Sequence, residues 1–101
     1  MKKDRVAMVR AILKTKKIRE SLQILRALCG PMRYQIIVAL RSSGSDGLNV
    51  TQLSKVLHAS LSRVSHQLAI LRRHRLVRAK RKNRETVYVI TDHHIQRLFS
   101  S

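Results

Sequence analysis

Five polar residues in a stretch of nine, Ser62, Arg63, Ser65, His66 and Gln67 in SLSRVSHQL (residues 60–68), are the side chains of this chain best suited to recognition. Two hydroxyls, a forked guanidinium, an imidazole and a carboxamide present a mixed set of donors and acceptors. They include no paired carboxylates and match no nucleophile-and-base motif, so the chemistry they point to is hydrogen bonding rather than bond making. Val64, Leu68 and Leu71 recur among them at i, i+4 and i+7, which makes one apolar stripe of a helix. Ser60 is its expected N-cap, because its hydroxyl can accept from an orphan amide of the first turn. A helix anchored by that stripe, with polar side chains on its early turns, is suited to the major groove of DNA. There such side chains reach base edges and phosphates.

The flanking segments fit that use. Upstream, Asn49 is the expected cap of a short helix, VTQLSKVLH, with Leu53, Val56 and Leu57 facing inward, and His58-Ala59 is the turn between the two helices. Two short helices, a tight turn and a polar second helix make a helix-turn-helix. Downstream, LVRAKRKNRETVYVIT reads as a hairpin, with Val87, Val89 and Ile90 on its return strand and Asn83 at a turn needing left-handed backbone. From Arg72 to Arg84, eight of thirteen residues are Lys or Arg. Arg72, Arg73, Arg78, Lys80, Arg81, Lys82 and Arg84 are therefore the expected phosphate contacts of a wing beside the recognition helix.

Composition points to the same partner. Twenty-two Lys and Arg against five Asp and Glu give a net charge of +17. Such a charge seeks a polyanion, nucleic acid first (double-stranded DNA, given the helix-turn-helix above) and an anionic membrane surface second. One hundred and one residues make one domain, and one Pro and three Gly leave few breaks, so the chain should be mostly helical. The apolar run Val6–Val9 is cut by Arg10, so no secretory signal is expected. The longest apolar run, Ile36–Leu40, falls far short of the roughly 20 residues of a membrane span. A soluble cytoplasmic, nucleoid-associated protein without membrane attachment or cofactor is the expectation.

The remaining segments frame this centre. Val6, Val9 and Leu13, then Ile18, Leu22, Leu25 and Leu28, give residues 1–28 a helical apolar stripe that needs a cover. The lysines at 14, 16 and 17 admit a break near Thr15. We expect this segment to serve in part as a homodimer interface. Gly30-Pro31 opens the next helix, which should bury Ile36, Ile37, Leu40 and part of Tyr34. SGSDG (residues 43–47) is a turn by composition. Residues 49–75 then form the helix-turn-helix and 76–91 the wing. Residues 92–101 form a last helix, capped by Thr91 or Asp92, with Ile95, Leu98 and Phe99 as its apolar face. The fold expected is a winged helix-turn-helix, mostly α with one small hairpin, in the order α-α-α-α-β-β-α.

These phrases resemble the ArsR-type (arsenic-repressor, metal-sensor) family of winged-helix repressors over roughly residues 22–96. LRALCGPMRYQIIVAL is similar to the family's helix opening of the form L-A-D-P-x-R, standing here as Leu28 to Arg33. SLSRVSHQLAILRRHRLV is similar to its recognition helix, and KNRETVYVIT to its wing, with Asn83 where Gly is common. The resemblance implies a homodimer with first and last helices at its interface. It also implies repression of transcription until an inducer binds, and base and phosphate reading by Ser62, Arg63, Ser65, His66 and Gln67, with Arg84 on the wing.

The family's sensing sites are matched less well. Asp92 and His94 match the first pair of one metal site, and the second pair, expected more than ten positions later, has no place in the seven residues after His94. The other site needs cysteines in the helix before the recognition helix, and VTQLSKVLH has none. No metal cofactor is therefore expected, with Asp92 and His94 the only weak candidates. Cys29, the single cysteine, is expected as a small core hydrophobe, and His58 and His74 as solvent-facing or phosphate-touching.

The leading reading is a sequence-specific, dimeric DNA-binding repressor. The alternative is an architectural or nucleoid protein with little sequence preference, which the +17 charge favours. A protein-interaction module is disfavoured by the basic wing. An enzyme is disfavoured by the absence of paired carboxylates and of a glycine loop that cradles phosphate.

Overall fold

The computed structural model describes the backbone of residues 2–91 and the side chains of residues 4–91, extending over 61 × 24 × 23 Å. Five helices precede a hairpin: α1 (Lys2–Leu13), α2 (Lys16–Leu28), α3 (Pro31–Ser43), α4 (Val50–Leu57), α5 (Leu61–Arg73), β1 (Val77–Lys82) and β2 (Glu85–Ile90). A 3-10 turn, Gly44–Asp46, follows α3. The segment expected as residues 92–101, with Asp92, His94, Ile95, Leu98 and Phe99, lies outside the described residues.

Residues 2–28 form two helices because Thr15 both ends one and begins the next. Its Oγ1 donates to the Ile12 carbonyl at 2.8 Å and accepts from the Ile18 amide at 3.5 Å. Every described side chain from Asp4 to Lys17 is exposed, Val6, Val9 and Leu13 included. In α2 the buried residues are Ile24 and Ala27, whereas Leu22 and Leu25 of the expected stripe face solvent. The helix thus has two apolar faces, and the stripe read from spacing follows mainly the exposed one, without Ile24 and Ala27.

The core centres on α3, which packs against α2, α4, α5 and β2. Ile36, Ile37 and Leu40 meet Leu53, Val64, Leu68, Leu71, Leu76 and Val77, all at most 3% exposed. Each such buried aliphatic contributes about 1.5–3 kcal/mol. Tyr34 and Val38, one turn apart, lie off that stripe and are exposed, so the expected partial burial of Tyr34 is corrected. Val56 is corrected likewise: the inward stripe of α4 runs through Val50, Leu53 and Leu57, which leaves Val56 58% exposed. Cys29 is exposed at the C-cap of α2, and not in the core.

Strands β1 and β2 are antiparallel, in register from Val77 opposite Ile90 to Lys82 opposite Glu85. Asn83 and Arg84 close them with φ of 49° and 69°, the double left-handed geometry of a two-residue I′ turn. Leu48 adds a one-residue bridge to the free edge of β2, with Leu48 N–H donating to Tyr88 O at 3.1 Å and Tyr88 N–H to Leu48 O at 2.8 Å. Gly47 lets the chain approach this closely: its φ is +70°, and a Cβ there would stand 2.6 Å from Tyr88 O.

Candidate nucleic-acid interface

Helix α5 is presented by capping at both of its ends and at the start of α4. Ser60 Oγ accepts from the Arg63 amide at 3.1 Å. Asn49 and Gln52 form a reciprocal capping box on α4, at 2.7 and 2.9 Å. His58, left-handed at φ 52°, and a hydrogen bond from Ser54 Oγ to the Ala59 carbonyl make the turn between the helices. At the far end Arg75 adopts φ 61°, and the Leu76 amide reaches back to Leu71 O at 3.0 Å, closing the helix in a Schellman motif. Thr91 fastens the base of the hairpin to that end, through Oγ1 to Arg75 O at 2.8 Å and N–H to Leu76 O at 3.2 Å.

With Val64, Leu68 and Leu71 at 0–1% exposure, α5 turns Ser62, Arg63, Ser65 and His66 to solvent. Gln67 differs from these four. It is half-buried, and its Oε1 accepts from Arg33 Nη1 at 2.9 Å. Arg33 Nε in turn donates to the Ala27 carbonyl at 2.6 Å, so one guanidinium ties the end of α2 to the middle of α5. Gly30 leaves room for it: a Cβ there would stand 2.7 Å from Arg33 Cζ. Spacing carried no signal of this link, because the two partners are 34 residues apart.

The wing cations divide into two groups. Arg72, Arg73, Arg78 and Arg84 are exposed. Arg81 is braced along the hairpin by Thr86 Oγ1 at 3.1 Å and the Arg84 carbonyl at 2.9 Å. Lys80 and Lys82 instead reach the 3-10 turn, Lys80 to the Ser45 carbonyl and Lys82 to Asp46 Oδ1 at 2.8 Å. That hydrogen bond and the charge of Lys82 hold the Asp46 carboxyl below the usual carboxylate range. Glu85, across the ladder from Lys82, accepts from Asn49 Nδ2 at 3.0 Å. Sequence reasoning missed these acidic partners, because a turn composition does not report what the turn will touch. Among the described residues no three His, Cys, Asp or Glu side chains gather as a metal site would require, and no helix is long and apolar enough to cross a membrane.

The family profile described as bacterial regulatory protein, arsR family, matches residues 30–79, from the cap of α3 into β1. The solution structure of the cadmium metal-sensor CMTR from Mycobacterium tuberculosis is 36% identical, with a TM-score of 0.64, and the match covers 76% of this chain and 77% of that one. The chain belongs to the ArsR family. Another member, the transcriptional repressor SmtB homolog of Synechocystis sp., is 38% identical over 73 residues, covering 72% of this chain and 53% of that protein. The chain thus spans about half the length of the curated relatives it first matches. Reduced HlyU from Vibrio cholerae is 28% identical with a TM-score of 0.73, over 82% of this chain and 84% of that one. The ArsR family consists of transcriptional regulators, not enzymes, and the fold of this chain is a winged helix-turn-helix.

Proposed function

We propose that this chain is a dimeric, sequence-reading DNA-binding repressor. The observation that carries the reading is one exposed strip of α5. Ser62, Arg63, Ser65 and His66 project from a helix whose other face is locked in the core, beside a wing bearing Arg78, Arg81 and Arg84. The four residues read bases and nearby phosphates, and the wing cations, with Arg72 and Arg73, follow the backbone. Gln67 supports α5 through Arg33 and is a positioning residue rather than a reader. The repressor sense comes from the SmtB homolog.

The second copy covers α1 and α2. Val6, Val9, Leu13, Leu22 and Leu25 are 44–60% exposed in the single chain, and large apolar faces of this kind mark association surfaces. Residues 1–28 therefore form the dimerisation segment, together with 92–101 by the family's pattern. The repressor works without the family's thiolate metal site, because α4 contains no cysteine.

The test is binding to a fragment from the gene's own upstream region and to a scrambled fragment, at about 150 mM salt, with and without Zn²⁺. Selectivity of about 10³ or more supports a regulator. Arg63→Ala and His66→Ala should lower that ratio, while Arg81→Ala should weaken both fragments equally and flatten the salt slope by about one. Equal binding to both fragments would establish the architectural alternative, which the +17 charge favours. Release by zinc would show that a metal site operates.

A further inference from the structure

The charge of the wing is polarised. Lys80 and Lys82 are alternate residues of β1 and share one face of the hairpin, and both are drawn to the 3-10 turn. Two of the chain's five acidic residues meet there, Asp46 on Lys82 at 2.8 Å and Glu85 as its cross-strand neighbour. The turn is held in place: Gly47 is pressed against Tyr88 O, and Leu48 is bridged to Tyr88 on both sides. Arg81, on the opposite face, is braced by oxygen acceptors of Thr86 and Arg84.

The Asp46–Lys82 pair is a weak source of stability, since Asp46 is 82% exposed and exposed ion pairs contribute little. Its effect on an approaching polyanion is larger. A carboxylate at the wing repels phosphate within a screening length of about 8–10 Å, and it removes Lys82 from the cations that displace counterions.

We propose that Asp46 is a specificity-determining residue, keeping the DNA backbone off one edge of the wing and so limiting sequence-independent binding. This rests on the DNA-binding reading above. In a sequence-matched complex, base contacts on α5 fix the register, and the acidic edge stays clear of the backbone. In a non-specific complex the protein shifts to gather phosphates, and there Asp46 opposes each additional contact.

The test compares wild type, Asp46→Asn, Lys82→Gln and the double variant on scrambled and upstream DNA across a salt series. One more released counterion steepens the salt slope by about 0.9, which between a 1 M reference and 0.15 M amounts to about fivefold in affinity. Asp46→Asn should therefore raise affinity for scrambled DNA about fivefold, while affinity for the upstream fragment rises less than about twofold. In the Lys82→Gln background the slope change should vanish. An unchanged slope in Asp46→Asn would overturn the proposal, as would an equal gain on both fragments, or a full gain without Lys82. An absence of DNA binding by the unsubstituted chain would overturn both this proposal and the reading it rests on.

Discussion

Gly47→Ala tests how the wing is attached to the helical body. Gly47 has φ +70° and ψ −178°, a region essentially closed to residues with a Cβ, and forcing one there costs about 1–3 kcal/mol. A methyl would also stand 2.6 Å from Tyr88 O and 2.9 Å from Val89 Cγ1, so β2 has to move away. That movement breaks the two hydrogen bonds between Leu48 and Tyr88, at about 0.5–1.5 kcal/mol each. The total is about 2–6 kcal/mol, a large share of the 5–15 typical of a domain. Gly44→Ala is the matched control. Its φ is also positive at +59°, but nothing lies within 4 Å of an added Cβ, so only the backbone term of about 1–3 kcal/mol applies. Urea unfolding at one fixed protein concentration measures both variants and removes the effect of association. Gly47→Ala should lose about 1–3 kcal/mol more than Gly44→Ala with the same m-value. Equal losses would refute the close approach of Gly47 to β2.

Two further substitutions probe the elements around the interface. Arg84→Gly should raise the urea midpoint by a stability gain of about 1 kcal/mol, because Arg84 holds φ 69° at the turn position where glycine is favoured. An unchanged or lowered midpoint would count against the I′ turn. Arg33→Met should cost about 2–4 kcal/mol, through the lost hydrogen bonds to Ala27 O at 2.6 Å and Gln67 Oε1 at 2.9 Å. A double-mutant cycle with Gln67→Leu should return a coupling of at least about 0.5 kcal/mol; additive losses would mean that Arg33 and Gln67 do not act together.

Local signals in the sequence were read well because they are stated by neighbouring residues. Ser60 and Asn49 announce helix starts through side chains that reach three residues ahead, and both caps are in place. Val64, Leu68 and Leu71 give the buried face of α5 from spacing alone. Spacing was a weaker guide in α2, where Ile24 and Ala27 face the core and Leu22 and Leu25 face out, because apolar residues surround much of that helix. It also misplaced Val56, since in an eight-residue helix one apolar residue either side of Leu53 fits a stripe equally well. The contacts that decide which cations stand free were not legible at all. Lys82 to Asp46 spans 36 residues, Lys80 to Ser45 spans 35 and Arg33 to Gln67 spans 34; each depends on the sheet and helices having already met.

The backbone gives a separate reason to regard the positive charge here as functional. Among the described residues four other than glycine are left-handed, His58, Arg75, Asn83 and Arg84, and all border α4, α5 or the wing. Asn at the first turn position is well tolerated there, and His is also enriched in this conformation. The two arginines are the poorer fits, each costing about 1–2 kcal/mol relative to a right-handed residue. Arg75 recovers part of that cost from the dipole at the end of α5. Among the described residues Arg84 adjoins no helix end in sequence, and its side chain adds charge to the tip of a hairpin already carrying Arg81 and Lys82. A turn chosen for stability would hold glycine at that point. An arginine there fits a surface where contact with a polyanion outweighs turn stability, so Arg84→Gly should raise stability while lowering the salt slope of DNA binding by about 0.9.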